Sequence, residues 1–161
     1  MYDASTTLEV PGPVLESVYR EARRTFPAEC CGWLAGAKDG SLASIVHACF
    51  NDQAAGNHPI KAERGAETAY VFNTEDVLAL NQSVDGKEPA MIIFHSHPNG
   101  QAYLSETDRE VATSPWGGPA YPVQQLVVGI DRERVVEAAL FGWSDADDGF
   151  VEIARYPGAE I

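Results

Sequence analysis

Within FHSHPNGQAYLSETDRE, residues 94–110, His95 and His97 stand two apart, and Asp108 follows eleven residues after His97. Positions i and i+2 of a strand face the same side, so two imidazoles there can converge on one point. Pro98, Asn99 and Gly100 then turn the chain, and the first turns of a following helix can return Asp108 to that point. Two neutral nitrogens and one carboxylate oxygen form a common donor set for catalytic zinc, with water in the fourth tetrahedral position. Such an ion lowers the pKa of its water to about 7 and polarises a carbonyl. A closed structural site calls for a fourth strong ligand, usually Cys. The three cysteines, Cys30, Cys31 and Cys49, lie far from the histidines and lack CxxC spacing, which favours an open site.

His-x-His alone is a weak signal. Ser105 also reads simply as a helix cap, and Asp108 as an acid favoured at a helix N-terminus. Both roles are compatible with catalysis. Glu29, just after Pro27 and Ala28, reads on its own as a surface acid.

The elements that must position these groups are legible from periodicity and punctuation. Pro11 and Pro13 mark a helix start, and Val14, Leu15, Val18, Tyr19 and Ala22 fall at helical spacing until Phe26-Pro27 ends the run. Cys31 to Ala37 reads as a small-residue strand, turned by Lys38-Asp39-Gly40 into a second strand, Ser41 to Phe50. Residues 51–66 are polar, aperiodic and long for a connection, and such loops are often functional. Thr68 to Phe72 reads as a strand. Asn73 or Thr74 can cap a helix through Ser83, with Val77, Leu78, Ala79 and Leu80 as its apolar stripe, stopped by Asp85-Gly86.

Ala90 to Phe94 is a buried strand delivering the His-bearing loop. Ser105 caps a helix to Thr113, and Gln124 to Ile130, Arg134 to Trp143 and Phe150 to Tyr156 read as three further strands. The predicted fold is a single α+β domain over residues 1–161, with a mixed, largely antiparallel sheet flanked by two or three helices.

Composition narrows the partners. The chain has 161 residues, 45% hydrophobic and 22% charged, which suits one folded domain. Its 11 Lys and Arg against 24 Asp and Glu give a formal charge of −13, which repels a phosphate backbone or an anionic membrane. Arg20, Arg23 and Arg24 are diluted by Glu16 and Glu21. No nucleic acid and no membrane are therefore expected, and a neutral or basic protein partner suits the surface. MYDASTTLEV has neither a basic start nor an apolar run, so no signal peptide is expected. Three cysteines make no disulfide framework and point to a reducing cytoplasm.

Other groups have plainer readings. The cysteines suit small buried thiols better than nucleophiles, since neither His47 nor His58 can be assigned as a partner. His58, in the 51–66 loop, can line a groove or simply be solvated. Gly32, Gly36 and Gly40 lack the Gly-Lys-Ser/Thr of a phosphate loop. Trp33, Trp116 and Trp143 read as core or rim aromatics, and Asp145, Asp147 and Asp148 as a solvated turn.

His95-Ser96-His97-Pro98, then Ser105 and Asp108, resembles the signature of JAMM (MPN-type) metalloproteases: His-x-His, ten residues, Asp, with Ser three before the Asp. That family also has an upstream Glu entering a strand, usually followed by Cys-Gly and small apolar residues. Ala28-Glu29-Cys30-Cys31-Gly32-Trp33-Leu34-Ala35-Gly36 resembles that element, and the similarity covers roughly residues 8–143. The resemblance implies a cytidine-deaminase-like JAMM/MPN fold. It also implies one zinc ion with a bound water on His95, His97 and Asp108, Glu29 as proton acceptor and donor, and Ser105 as oxyanion donor.

A short chain of this kind resembles the prokaryotic branch. Its members commonly process small ubiquitin-like sulfur-carrier proteins, so the expected substrate is the flexible C-terminus of such a carrier. The tail would lie along a sheet edge between the 51–66 and 114–123 loops. Three other readings remain: a DNA-repair-associated relative with a similar His-x-His-Pro-x-Gly segment, a phage-tail peptidase, and a non-catalytic MPN scaffold. The −13 charge and the Glu-Cys-Cys-Gly element oppose the first. Retention of all three ligands with Glu29 and Ser105 opposes the last.

Overall fold

A computed structural model describes residues 6–52 and 70–161 of the chain. Helix α1 (Gly12–Thr25) starts where the prolines predict, because a first-turn residue needs no N–H partner. Strands β1 (Cys31–Ala35) and β2 (Ile45–Cys49) follow, then α2 (Thr74–Val84), β3 (Ala90–His97) and α3 (Glu106–Ala112). The chain ends in β4 (Gln124–Ile130), β5 (Val135–Ser144) and β6 (Gly149–Ala159). The described residues thus form an α+β domain with three helices and one six-stranded sheet, in the order β2-β1-β3-β4-β5-β6.

All neighbouring strands run antiparallel except β3 and β4, whose parallel pairing requires a crossover, and α3 lies in it. The apolar stripe of α1, with Val18 and Ala22, packs with Leu34, Phe94, Leu126 and Leu140. On the opposite face Leu80 of α2 joins Trp33, Ile93 and Val123, and Ala102 and Leu104 join Val127 and Phe141. β3 is buried along its whole length. Its even-numbered residues Ile92 and Phe94 serve the α1 side and Ile93 the other, so the strand is clad on both faces. Truncating Phe94 would cost about 3–5 kcal/mol.

Several expectations change in detail. The turn at Lys38-Asp39-Gly40 belongs to a wider loop, in which Leu42 forms a parallel bridge with Glu9. Of the expected Thr68–Phe72 strand, residues 68 and 69 lie outside the described residues, and Phe72 makes a single bridge to Asn51. In α2 only Leu80 is buried, and Leu78 is exposed, so this helix presents a narrower stripe than its sequence offers. Trp33 and Trp143 are core residues, whereas Trp116 is 93% exposed on the turn before Gly117. His58 and residues 53–66 lie outside the described residues. No helix among the described residues is long and apolar enough to cross a membrane.

Candidate active site

β3 extends through both histidines, three residues beyond its apolar run, and pairs with β1 on one side and β4 on the other. His95 and His97 therefore share the sheet face of Ile93, on the side opposite α1. Both rings are buried. Their Nε2 atoms lie 3.1 Å apart, and each lies 3.1 Å from Oδ2 of Asp108. The sequence-predicted trio thus converges on one point.

The cap of α3 is what aims Asp108. Ser105 Oγ accepts the Asp108 N–H at 3.1 Å, and Asp108 Oδ2 accepts the Ser105 N–H at 3.0 Å. This reciprocal capping box closes the first turn and holds the carboxylate against the imidazoles. The two readings of Ser105 and Asp108, as cap and as site residues, are satisfied by the same contacts. Because the Ser105 oxygen accepts that bond, its own O–H remains available to donate.

His97 is oriented by its other nitrogen. Nδ1 lies 3.3 Å from the carbonyl of Gln101, so it carries the proton and donates there. The same turn passes over Gly129, where a Cβ would stand 2.6 Å from the Gly100 carbonyl carbon. It is anchored further by Glu137, which accepts the Ala102 N–H at 2.9 Å and pairs with Arg155 at 2.9 Å. Tyr70 stacks on His95 with ring centroids 4.6 Å apart, and Tyr103 lies tilted 4.8 Å from His97.

Glu29 reaches the centre from the turn before β1. It is buried, not the surface acid its local sequence suggests, and its carboxylate lies within 4.8 Å of the His95 and His97 ring nitrogens. Neighbouring contacts fix its backbone. The Glu29 carbonyl accepts Asn51 Nδ2 at 3.0 Å, and Ser96 Oγ accepts the Cys30 N–H at 2.8 Å.

The centre attracts positive charge: burial would lower the pKa of His95, but the Asp108 carboxylate outweighs burial and raises it. Burial is the largest influence on His97 and lowers its pKa, keeping it neutral. Burial would raise the pKa of Asp108, but the two imidazoles together outweigh it and hold the carboxyl well below its usual range. With its proton on Nδ1, neutral His97 turns a bare Nε2 lone pair toward an ionised carboxylate oxygen 3.1 Å away. Two facing acceptors repel unless a positive charge lies between them. Ligand atoms about 2 Å from one tetrahedral ion stand about 3.3 Å apart, close to the spacing here. The donors fit a divalent metal.

Beside the centre lies a cavity of about 260 Å³, lined largely by apolar side chains including Tyr70, Phe72, Val77, Ile93, Val111 and Tyr121. Sequence reasoning did not single out Ser96, Asn51, Tyr70, Tyr103 or Glu137. Only Ser96 carried a local signal, its place between the two histidines on the opposite strand face.

Comparison with known proteins agrees with this architecture. The family described as prokaryotic homologs of the JAB domain matches residues 11–138. A desampylase of Haloferax volcanii is 29% identical over 122 residues, which is 73% of this chain and 79% of that protein. A CysO-cysteine peptidase of Mycobacterium tuberculosis is 29% identical over 109 residues, 67% of each chain. Among solved structures, a Desulfitobacterium hafniense protein superposes with a TM-score of 0.57 at 22% identity, covering 89% of this chain and 88% of that one. A Salinibacter ruber protein does so with a TM-score of 0.58 at 15% identity, covering 91% and 89%. Carrying the His-x-His and Asp pattern on this fold, and matched over residues 11–138, the chain belongs to the family of prokaryotic homologs of the JAB domain.

Proposed function

We propose that the protein is a zinc-dependent peptidase or isopeptidase that processes the C-terminus of a small ubiquitin-like sulfur-carrier protein. The observation that carries this reading is the convergence of His95, His97 and Asp108 at 3.1 Å, with buried Glu29 beside them. His95, His97 and Asp108 hold the metal, which when bound supplies a water of lowered pKa and a Lewis acid for the scissile carbonyl. Relatives named as a peptidase and as a desampylase support hydrolysis. The substrate class follows the family resemblance.

Glu29 accepts the proton released as water attacks and later passes it to the departing amine. Its burial beside two imidazoles suits a carboxylate that must exchange a proton in a partly dry cleft. Ser105 donates its hydroxyl hydrogen to the developing oxyanion, while its oxygen continues to cap α3. The cavity beside Tyr70 offers an apolar wall for an extended tail.

The test is Glu29→Gln, with metal analysis beside mass spectrometry of a carrier protein bearing residues beyond a C-terminal Gly-Gly. The variant should keep its metal and lose about 10²–10⁴-fold in turnover. Hydrolysis at the wild-type rate would remove Glu29 from the reaction.

A further inference from the structure

A second set of donors lies at the edge of the sheet. His47 and Cys49 are on the edge strand β2, at positions i and i+2, and Asp76 is in the first turn of α2. Their ligand atoms lie within 4.8 Å of one another. His47 Nε2 and Asp76 Oδ1 are 3.5 Å apart, too long for a strong direct hydrogen bond but close to the spacing of two ligands on one tetrahedral ion.

Two of the three donors are held in place by groups outside the cluster. The His47 ring stacks on Trp33 with centroids 4.0 Å apart and planes at 11°. Asp76 is fixed because the Asn73 side chain caps its N–H at 2.8 Å. Cys49 is buried, with its thiol 3.8 Å from the His47 carbonyl. We propose that His47, Cys49 and Asp76 form a second site, for a zinc-class divalent ion bound through a thiolate.

The donor types select the ion. One nitrogen, one sulfur and one oxygen suit zinc, cobalt and their neighbours, whereas magnesium and calcium prefer oxygen alone. Burial first, and then the Asp76 carboxylate, push the Cys49 thiol well above its ordinary pKa, so the bare cluster holds it protonated. Binding exchanges that proton for the ion: the S–H bond breaks, a sulfur–metal bond forms, and one proton leaves to solvent past half-exposed His47.

This site is separate from the centre on His95. Cys49 pairs with Cys31, and Cys31 with His95, so the two centres share a sheet face but stand two strand spacings apart, about 10 Å. The ion would tie the end of β2 to the start of α2, and with them both ends of the 50–73 connection.

Titration of the metal-stripped full chain with cobalt(II) tests this without measuring hydrolysis, so its outcome is independent of the proposed reaction. The expected result is two equivalents bound, one of which produces a near-ultraviolet thiolate-to-cobalt charge-transfer band. The centre on His95 has no sulfur ligand and cannot produce that band. Cys49→Ser should abolish the band and one equivalent, and His47→Ala, at a half-exposed position, should weaken that equivalent at least tenfold. His97→Ala should keep the band. A wild-type chain that binds cobalt without the band, or a band that survives Cys49→Ser, would overturn the proposal.

Discussion

Ser96 Oγ accepts the backbone N–H of Cys30 at 2.8 Å, joining the residue between the two histidines to the residue after Glu29. The return contact, Ser96 N–H to the Cys30 carbonyl, is 3.3 Å. The strand that carries two of the proposed metal ligands thereby sets the depth of the proposed proton carrier.

Replacing that serine by alanine leaves the buried Cys30 N–H without its acceptor, at a cost of about 1–3 kcal/mol. Ser96→Ala should bind metal with unchanged stoichiometry while kcat falls about tenfold or more. Loss of the metal instead would tie Ser96 to the ligands and not to Glu29. Denaturant unfolding and metal analysis on one preparation separate the two.

The two duties of Ser105 can be measured apart. Glycine at a helix N-cap costs only a few tenths of a kcal/mol relative to serine, whereas alanine costs about 1 kcal/mol. Ser105→Gly and Ser105→Ala should therefore differ in stability yet lose the same turnover, about 10²–10³-fold, because both lack the hydroxyl donor. Full activity in Ser105→Gly would reduce Ser105 to a cap.

Gly129 lies beneath the turn that orients His97, and a Cβ there would stand 2.6 Å from both the carbon and the oxygen of the Gly100 carbonyl. Backbone atoms cannot give way as a side-chain tip can. Gly129→Ala should lift the turn, withdraw the Gln101 carbonyl from His97 and weaken metal binding about 10–100-fold. Competition with a chromogenic chelator would measure it, and wild-type affinity would contradict the proposed orientation.

The metal-free protein should lose stability in alkali. Burial pushes the Cys30 thiol up to about 12 and Cys31 and Cys49 higher still. Unfolded thiols ionise near pH 9 while the folded ones stay protonated, so their contribution is complete below pH 9 and is lost as pH rises toward 12. Tyr19, also raised to about 12, acts in the same direction above pH 10. Thermal denaturation between pH 8 and 11 should show the decline. At pH 8 an alkylating reagent should label none of the three cysteines until denaturant is added.

Much of this arrangement was legible because it is local in the chain. The bounds of β4 match the sequence reading residue for residue, since an apolar run between turns admits one register. Asn73 and Ser105 were identifiable as caps because a side-chain acceptor three residues before an acidic N–H is a local motif. Burial of Glu29 was not legible from neighbouring residues, because it depends on β3 lying beside β1. Nor were Tyr70 or Glu137, whose contacts with the site span 25 and 35 residues and leave no periodic trace. The exposure of Trp116 contradicts a composition rule, since large aromatics are usually covered.

The three proposed ligands all come from residues 95–108, one strand end and the helix beside it, whereas Glu29 arrives from across the sheet. Closure of a short loop brings the proposed ligands together, whereas the Glu29 carboxylate reaches them only through the pairing of β1 with β3. A substitution that loosened that one strand pair would therefore part the proposed proton carrier from the ligands without touching either.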